Sequence, residues 1–177
     1  MTVFSQESEM ADEYIKKAQK AYRVNLEYDS ARDYFSRAAD LLKEINKPNK
    51  LAHVFYQVGM TYYIQSDYSN ALKYAYQAKK TMTDSVSCHV KLNNDLSIGR
   101  IKYALKQKED ALAYVHSLEP EIASCNDINI KSLATNYLAV VHYELGHVDT
   151  AEKYLYQSLN CAVSKKIRQV SAKYIPY

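Results

Sequence analysis

The stretch Val58-Gly-Met-Thr-Tyr-Tyr-Ile-Gln-Ser-Asp-Tyr-Ser-Asn-Ala-Leu-Lys-Tyr-Ala-Tyr-Gln-Ala78 decides how this chain folds. In its second half Ala71, Tyr74, Ala75 and Ala78 stand three and four residues apart, which puts them on one face of an α-helix. In its first half Val58, Gly59, Tyr62 and Tyr63 form an equivalent face. Between the halves, Asp67-Tyr68-Ser69-Asn70 supplies side chains that cap a helix N-terminus. The segment therefore predicts two antiparallel helices, with the small Gly59 where they cross closely.

The same arrangement recurs every 40 residues. Ala31, Ala71, Ala111 and Ala151 keep that step, and Tyr34, Tyr74, Tyr114 and Tyr154 follow three positions behind. Phe35, Ala75, Val115 and Leu155 come next, then Ala38, Ala78, Leu118 and Ser158. Thirteen residues before each alanine stand Ala18, Val58, Ile98 and Leu138, followed by Gln19, Gly59, Gly99 and Ala139. Tyr22, Tyr62, Lys102 and His142 fill a further column, nine residues ahead of the alanines. A fixed period of this length marks a stacked repeat protein. Gly146 suits a left-handed helix C-terminus, and only three Gly and three Pro occur in 177 residues.

Helices are expected at 6–26, 29–46, 49–65, 68–84, 88–106, 108–123, 128–145 and 148–163, with a ninth at 164–174. The fold class is all-α, a right-handed superhelix of four antiparallel helix pairs closed by a C-terminal capping helix. We read residues 1–177 as one domain, with repeats at 12–47, 52–87, 92–127 and 132–163 and a cap over 164–177.

These residues resemble the tetratricopeptide repeat. The second unit carries most of its pattern through Gly59, Tyr62, Asp67-Tyr68, Ala71, Ala75 and Ala78, and the fourth through Ala139, Gly146, Ala151 and Leu155. That repeat usually measures about 34 residues, so the helices here are longer.

A narrower likeness lies in Leu51-Ala-His-Val-Phe-Tyr-Gln-Val-Gly-Met-Thr-Tyr-Tyr63, in Val86-Ser-Cys-His89 and in Glu109-Asp-Ala-Leu-Ala-Tyr114. These runs are similar to the repeats of the Rap family of Gram-positive bacteria and its Rgg-like and PlcR-like relatives. The resemblance implies a concave groove that holds a short signalling peptide, and a cytoplasmic location is expected because the sequence shows neither a membrane span nor the basic and apolar regions of a signal peptide. In that group the peptide changes an output domain acting on response regulators or DNA, in quorum sensing and transcription regulation. Here the repeat pattern starts by about residue 10, so only the groove is expected to carry over.

In such stacks the first helix of each pair lines the concave side. The candidate peptide-binding residues are therefore His53, Tyr56, Gln57, Met60 and Tyr63 from the second unit and Asn93, Leu96, Arg100 and Tyr103 from the third. The fourth unit adds Asn136, Tyr137, Val140 and Tyr143. Tyrosine offers large contact area and a polar tip at low entropic cost, and this chain has 18 tyrosines and no tryptophan. The tyrosines three after each alanine read instead as packing between helices. Asn93 and Asn136 can donate to and accept from an extended peptide backbone, and Arg100 can meet a carboxylate. Each of the three reads equally well as a solvated side chain.

Other chemistries find little support. The formal net charge of +3 argues against nucleic acid for this chain alone, though Lys165, Lys166, Arg168 and Lys173 crowd its end. His142-Tyr-Glu-Leu-Gly-His147 has its histidines five apart and its glutamate misplaced for the His-Glu-x-x-His zinc site. His142 reads as a packing residue and His147 as part of a turn. Cys88, Cys125 and Cys161 read as reduced packing residues. No catalytic residue, metal ligand or cofactor is assigned. No run approaches the roughly 20 apolar residues of a membrane span, so no membrane partner is expected.

Recognition of a peptide or protein segment in the groove, without catalysis, is thus the leading function. A structural adaptor that works through its convex face or its ends is the alternative, with the C-terminal helix as a candidate homodimer contact. An enzyme subunit that uses the stack as a clamp is a third.

Overall fold

The computed structural model describes residues 3–174, with the side chains of residues 5–161 and 163. Among the described residues every regular element is a helix. In order they are α1 (Val3–Lys20), which runs into a π-helical turn (Ala21–Asn25), α2 (Tyr28–Glu44), α3 (Pro48–Ile64), α4 (Tyr68–Thr81), α5 (Cys88–Ala104), α6 (Lys108–His116), α7 (Glu119–Ser124), α8 (Ile128–Glu144) and α9 (Val148–Tyr174). The chain divides into two compact units, Met1–Asn94 and Asp95–Tyr177, with the division inside α5.

Two expected helices come out differently. The helix expected over 108–123 is broken into α6 and α7, because Pro120 has no N–H to give and is tolerated only in a first helical turn. The separate helix expected at 164–174 is instead the continuation of α9, since neither Gly nor Pro interrupts residues 148–174. Residues 175–177 of the expected cap lie outside the described residues.

The alanine column is buried throughout. Ala31, Ala71 and Ala111 are 0% exposed and Ala151 is 2% exposed. In Met1–Asn94 these alanines let α1 pack on α2 and α3 on α4 around Ala18, Phe35, Ala38, Leu42, Val54 and Val58. A Cβ added at Gly59 would lie 3.2 Å from the Ala71 carbonyl oxygen, so the two helices touch backbone to side-chain stub at that point. Arg32 ties α2 to α3: it donates to Gln65 Oε1 at 2.6 Å and stacks 4.3 Å from the centre of the Tyr62 ring.

In Asp95–Tyr177 the core runs through Ile98, Ile101, Val115, Ile130, Leu138 and Val141. A Cβ at Gly99 would meet Val115 Cγ2 at 2.6 Å, a contact no real side chain makes.

The turns repeat as regularly as the helices. Leu26, Ser66, Lys106 and Gly146 all have positive φ, and they too stand 40 residues apart. After three of them the chain closes a Schellman motif, in which Asp67, Gln107 and His147 donate their N–H to the carbonyls of Tyr62, Lys102 and His142. Those same residues then accept the first bond of the next helix, from Ala71, Ala111 and Ala151. At the first turn Glu27 reaches back to Ala21, one residue further, because the π-helical turn holds an extra residue.

The tyrosine column does pack between paired helices. Tyr34 stacks on Tyr14, Tyr74 on Tyr62, and Tyr154 on His142 with ring centres 5.4 Å apart. Tyr114 donates instead to the buried Asp95 carboxylate at 2.9 Å.

Gly99→Ala tests the crossing in the second unit. It should lower stability by about 1–3 kcal/mol through overpacking, against a helix-propensity gain of about 1 kcal/mol. In a Val115→Ala background the same change should become neutral or favourable. Urea unfolding of the four proteins in that cycle measures the coupling.

Candidate functional site

In Met1–Asn94 the structure gathers five of the expected residues on one face. His53, Tyr56, Gln57 and Met60 follow one another along α3, because their spacing of three and four keeps them on one side of the helix. Asn93, from the start of α5, donates its amide to the Tyr56 hydroxyl at 3.1 Å. The Gln57 amide lies 3.3 Å from His53 Nε2, and the His53 and Tyr56 rings stack at 6.2 Å. Tyr63 is set apart and packs its ring on Tyr68 at the turn.

Tyr56, Gln57 and Met60 form one wall of an open cleft of about 340 Å³. Tyr22, Arg23, Leu26, Tyr28 and Ile64 complete it. Sequence reasoning missed these five. Tyr22 reads as a packing column, and Leu26 sits in a turn whose course depends on the π-helical residue count. Their signal is exposure: Val24, Leu26 and Ile64 are large apolar side chains left in water at one end of this unit.

The cleft is mainly apolar, and its charge comes from Arg23. Burial, then the Arg23 guanidinium, holds the His53 imidazole below its ordinary value. Burial raises the Tyr22 hydroxyl above its own. Both groups are thus neutral near pH 7, so the wall offers hydrogen bonds beside a single guanidinium.

In Asp95–Tyr177 the expected residues separate into three groups. Leu96 is 1% exposed and Tyr137 is 8% exposed, and the Tyr137 hydroxyl donates to the Gly99 carbonyl at 2.7 Å. Both are spent on packing, because their helices turn these positions inward. Asn136, Val140 and Tyr143 do face solvent along α8, and Tyr143 is 66% exposed. Arg100 and Tyr103 are half-buried, with Lys108 Nζ 6.0 Å from the Tyr103 ring centre. Asn136 and Leu133 also line a second cleft, of about 370 Å³, with Ile128, Asn129, Ser132, Ser158 and Cys161.

The expectation of three reduced cysteines needs correcting. Cys88 and Cys125 are each disulfide-bonded, and Cys161 has a free thiol. Sequence spacing carries no sign of this, since no Cys-x-x-Cys motif is present. Among the described residues no three His, Cys, Asp or Glu side chains converge as a metal site. None of the described helices is long and apolar enough to cross a membrane.

With this geometry in hand, comparison with known proteins identifies the fold. No family model and no curated protein matches the chain. Solved structures do match. Aspartyl phosphate phosphatase F from Bacillus subtilis superposes with a TM-score of 0.83 at 19% identity, over 90% of this chain and 42% of that one. The apo form of RapI gives 0.71 at 17% identity, over 86% and 43%. The nearly identical TPR-like repeats of a putative kinesin light chain from Podosopora anserina give 0.62 at 13%, over 92% and 76%. The fold is therefore all-α and tetratricopeptide-like, similar to the Rap structures. This chain spans less than half the length of the first two proteins.

Because its pKa is depressed on folding, neutral His53 contributes stability that is complete above about pH 6.5 and is lost as pH falls below it. His53→Gln should flatten that part of the decline. Urea midpoints of the two proteins, read from about pH 7 down to about pH 5, show whether it does.

Proposed function

We propose that this chain is a peptide- or protein-docking repeat module, without catalytic residues, whose binding face lies along α3. The observation that carries the reading is the apolar cleft walled by Tyr22, Tyr56, Gln57 and Met60, with the Asn93 amide bonded to the Tyr56 hydroxyl. A pocket that is mostly apolar with a few placed polar groups is the usual form of a ligand site. Aromatic side chains supply most of the energy in such contacts, while amides align an extended backbone. Arg23 favours a segment that carries a carboxylate. On the second unit Asn136, Val140 and Tyr143 offer a comparable exposed row for the same role.

The finer proposal is a short cytoplasmic signalling peptide as the ligand, in a regulator of the quorum-sensing kind. Its support is the likeness in fold to the Rap structures.

A library of random seven-residue peptides displayed on phage, panned against the full chain, provides the test. Binders should lose about 2 kcal/mol or more on Tyr56→Ala, the loss expected of a central aromatic contact. Asn93→Ala should cost them about 1–3 kcal/mol. Binders that hold equally well to both variants would place the binding face elsewhere.

One observation favours the adaptor reading. Leu155, Leu159 and Val163 are exposed at successive four-residue steps on α9, beside Tyr156 and with Val148 one stripe earlier. We propose this stripe as a contact for a second copy of the chain or a partner protein. Light scattering of Leu155→Glu/Leu159→Glu beside the parent gives the answer. The parent should show the larger mass, and equal masses would remove self-association through α9.

A further inference from the structure

A chain of four titratable side chains crosses the second unit. Glu119 at the start of α7 lies 2.8 Å from His116 Nδ1 on α6. His116 Nε2 lies 3.2 Å from His142 Nε2 on α8, and His142 Nδ1 lies 3.3 Å from His147 Nδ1 in the turn before α9. Tyr154 on α9 donates to the same Glu119 oxygen at 3.0 Å and stacks its ring on His142. Glu109 and Leu145 join His116 and His147 around an open cleft of about 430 Å³ beside this row. Among the described residues no three of these donors converge on one point.

Counting protons along the row fixes its behaviour. Each junction between neighbours has room for one proton: Glu119 with His116, His116 with His142, and His142 with His147. Three neutral imidazoles fill the three junctions, with His116 donating from Nδ1, His142 from Nε2 and His147 from Nδ1. A fourth proton is taken up at an end of the row. It can sit on His147 Nε2, or it can make His116 an imidazolium against Glu119, with the other two rings exchanging tautomers. A fifth has no vacant place on the imidazoles, because there it sets N–H against N–H at a separation of 3.2 or 3.3 Å.

We propose that Glu119, His116, His142 and His147 form an acid-opened latch between α6, α7, α8 and the start of α9. The latch accepts one proton intact and opens when a second arrives. An opened row releases the His142 ring from Tyr154 and loosens the turn that carries His147.

The electrostatics run the same way. Burial, then His116 and His147, hold the His142 imidazole below its ordinary value, with Glu119 opposing them. The hydrogen bond from His116 holds the Glu119 carboxyl low. Burial, then the bond to Glu119, pushes the Tyr154 hydroxyl up to about 12. Around neutral pH the row therefore holds an ionised Glu119, a neutral His142 and a protonated Tyr154. A depressed imidazole contributes stability above about pH 6.5 and loses it below.

The test uses the full chain. His142→Phe keeps a ring to stack on Tyr154 but cannot join the proton row. The fall in unfolding midpoint between about pH 7.5 and about pH 5 should be at least halved in this variant, with His53 supplying part of the remainder. An equal fall in both proteins would overturn the latch. An NMR titration of the parent, which does not depend on how the Phe variant folds, gives a second reading. The His142 ring should titrate below an ordinary histidine, and in His116→Gln its midpoint should move upward. A curve that stays in place in His116→Gln would show that the rings titrate independently, and the latch would fall.

Discussion

Two antiparallel helices can come together closely only where one presents almost no side chain to the other, and this constraint governs the molecule. At Ala71 and Gly59 in one unit, and near Gly99 and Val115 in the other, the space between paired helices is too small for an added methyl group to enter without crowding its neighbour. Interiors are packed to crystal-like density, so such a position tolerates neither a larger group nor a void. The rest follows from those crossings. Close axes bring Tyr74 onto Tyr62 and Tyr154 onto His142, and the rings fill the wedge where the helices diverge.

The turns convert that packing into a repeat. A residue with positive φ and a Schellman pair of hydrogen bonds reverse the chain in a fixed geometry, and the backbone that closes one helix opens the next. Three of these four positive-φ residues are Leu26, Ser66 and Lys106, which carry a steric penalty that Gly146 avoids. The hairpins bear that cost because the helices on either side are anchored by buried alanines. Where the anchoring changes, so does the local structure: the π-helical turn after α1 inserts a residue, and Leu26 swings to the rim of the first cleft.

Function in a fold of this kind depends on what each exposed helix face carries, since the alanine column at the helix crossings recurs in every repeat. Along α3 that face is aromatic and amide-bearing, with one cation beside it. The row from Glu119 to His147 shows a different use of the same column. His142 takes the place that Tyr62 holds in its own hairpin, which exchanges a phenol for an imidazole. The stacking is kept and a dependence on protons is added.

Periodicity alone was enough to read the helix pairs, most of their boundaries to within a few residues, the burial of Ala31, Ala71, Ala111 and Ala151, and the inward tyrosines. These follow from spacing, and spacing is a local property of the chain. The break at Pro120 was legible too, though the apolar pattern around it masked the signal. Which of the groove candidates stay accessible was decided only in three dimensions. Leu96 and Tyr137 share their helices with exposed neighbours, and a rotation of a few tens of degrees about a helix axis separates a wall from a core. The cleft around Tyr22 and Leu26 and the meeting of His116 with His142 depend likewise on residues far apart in sequence. A repeat period states that helices pair, but only tertiary packing fixes the few ångströms that make a contact.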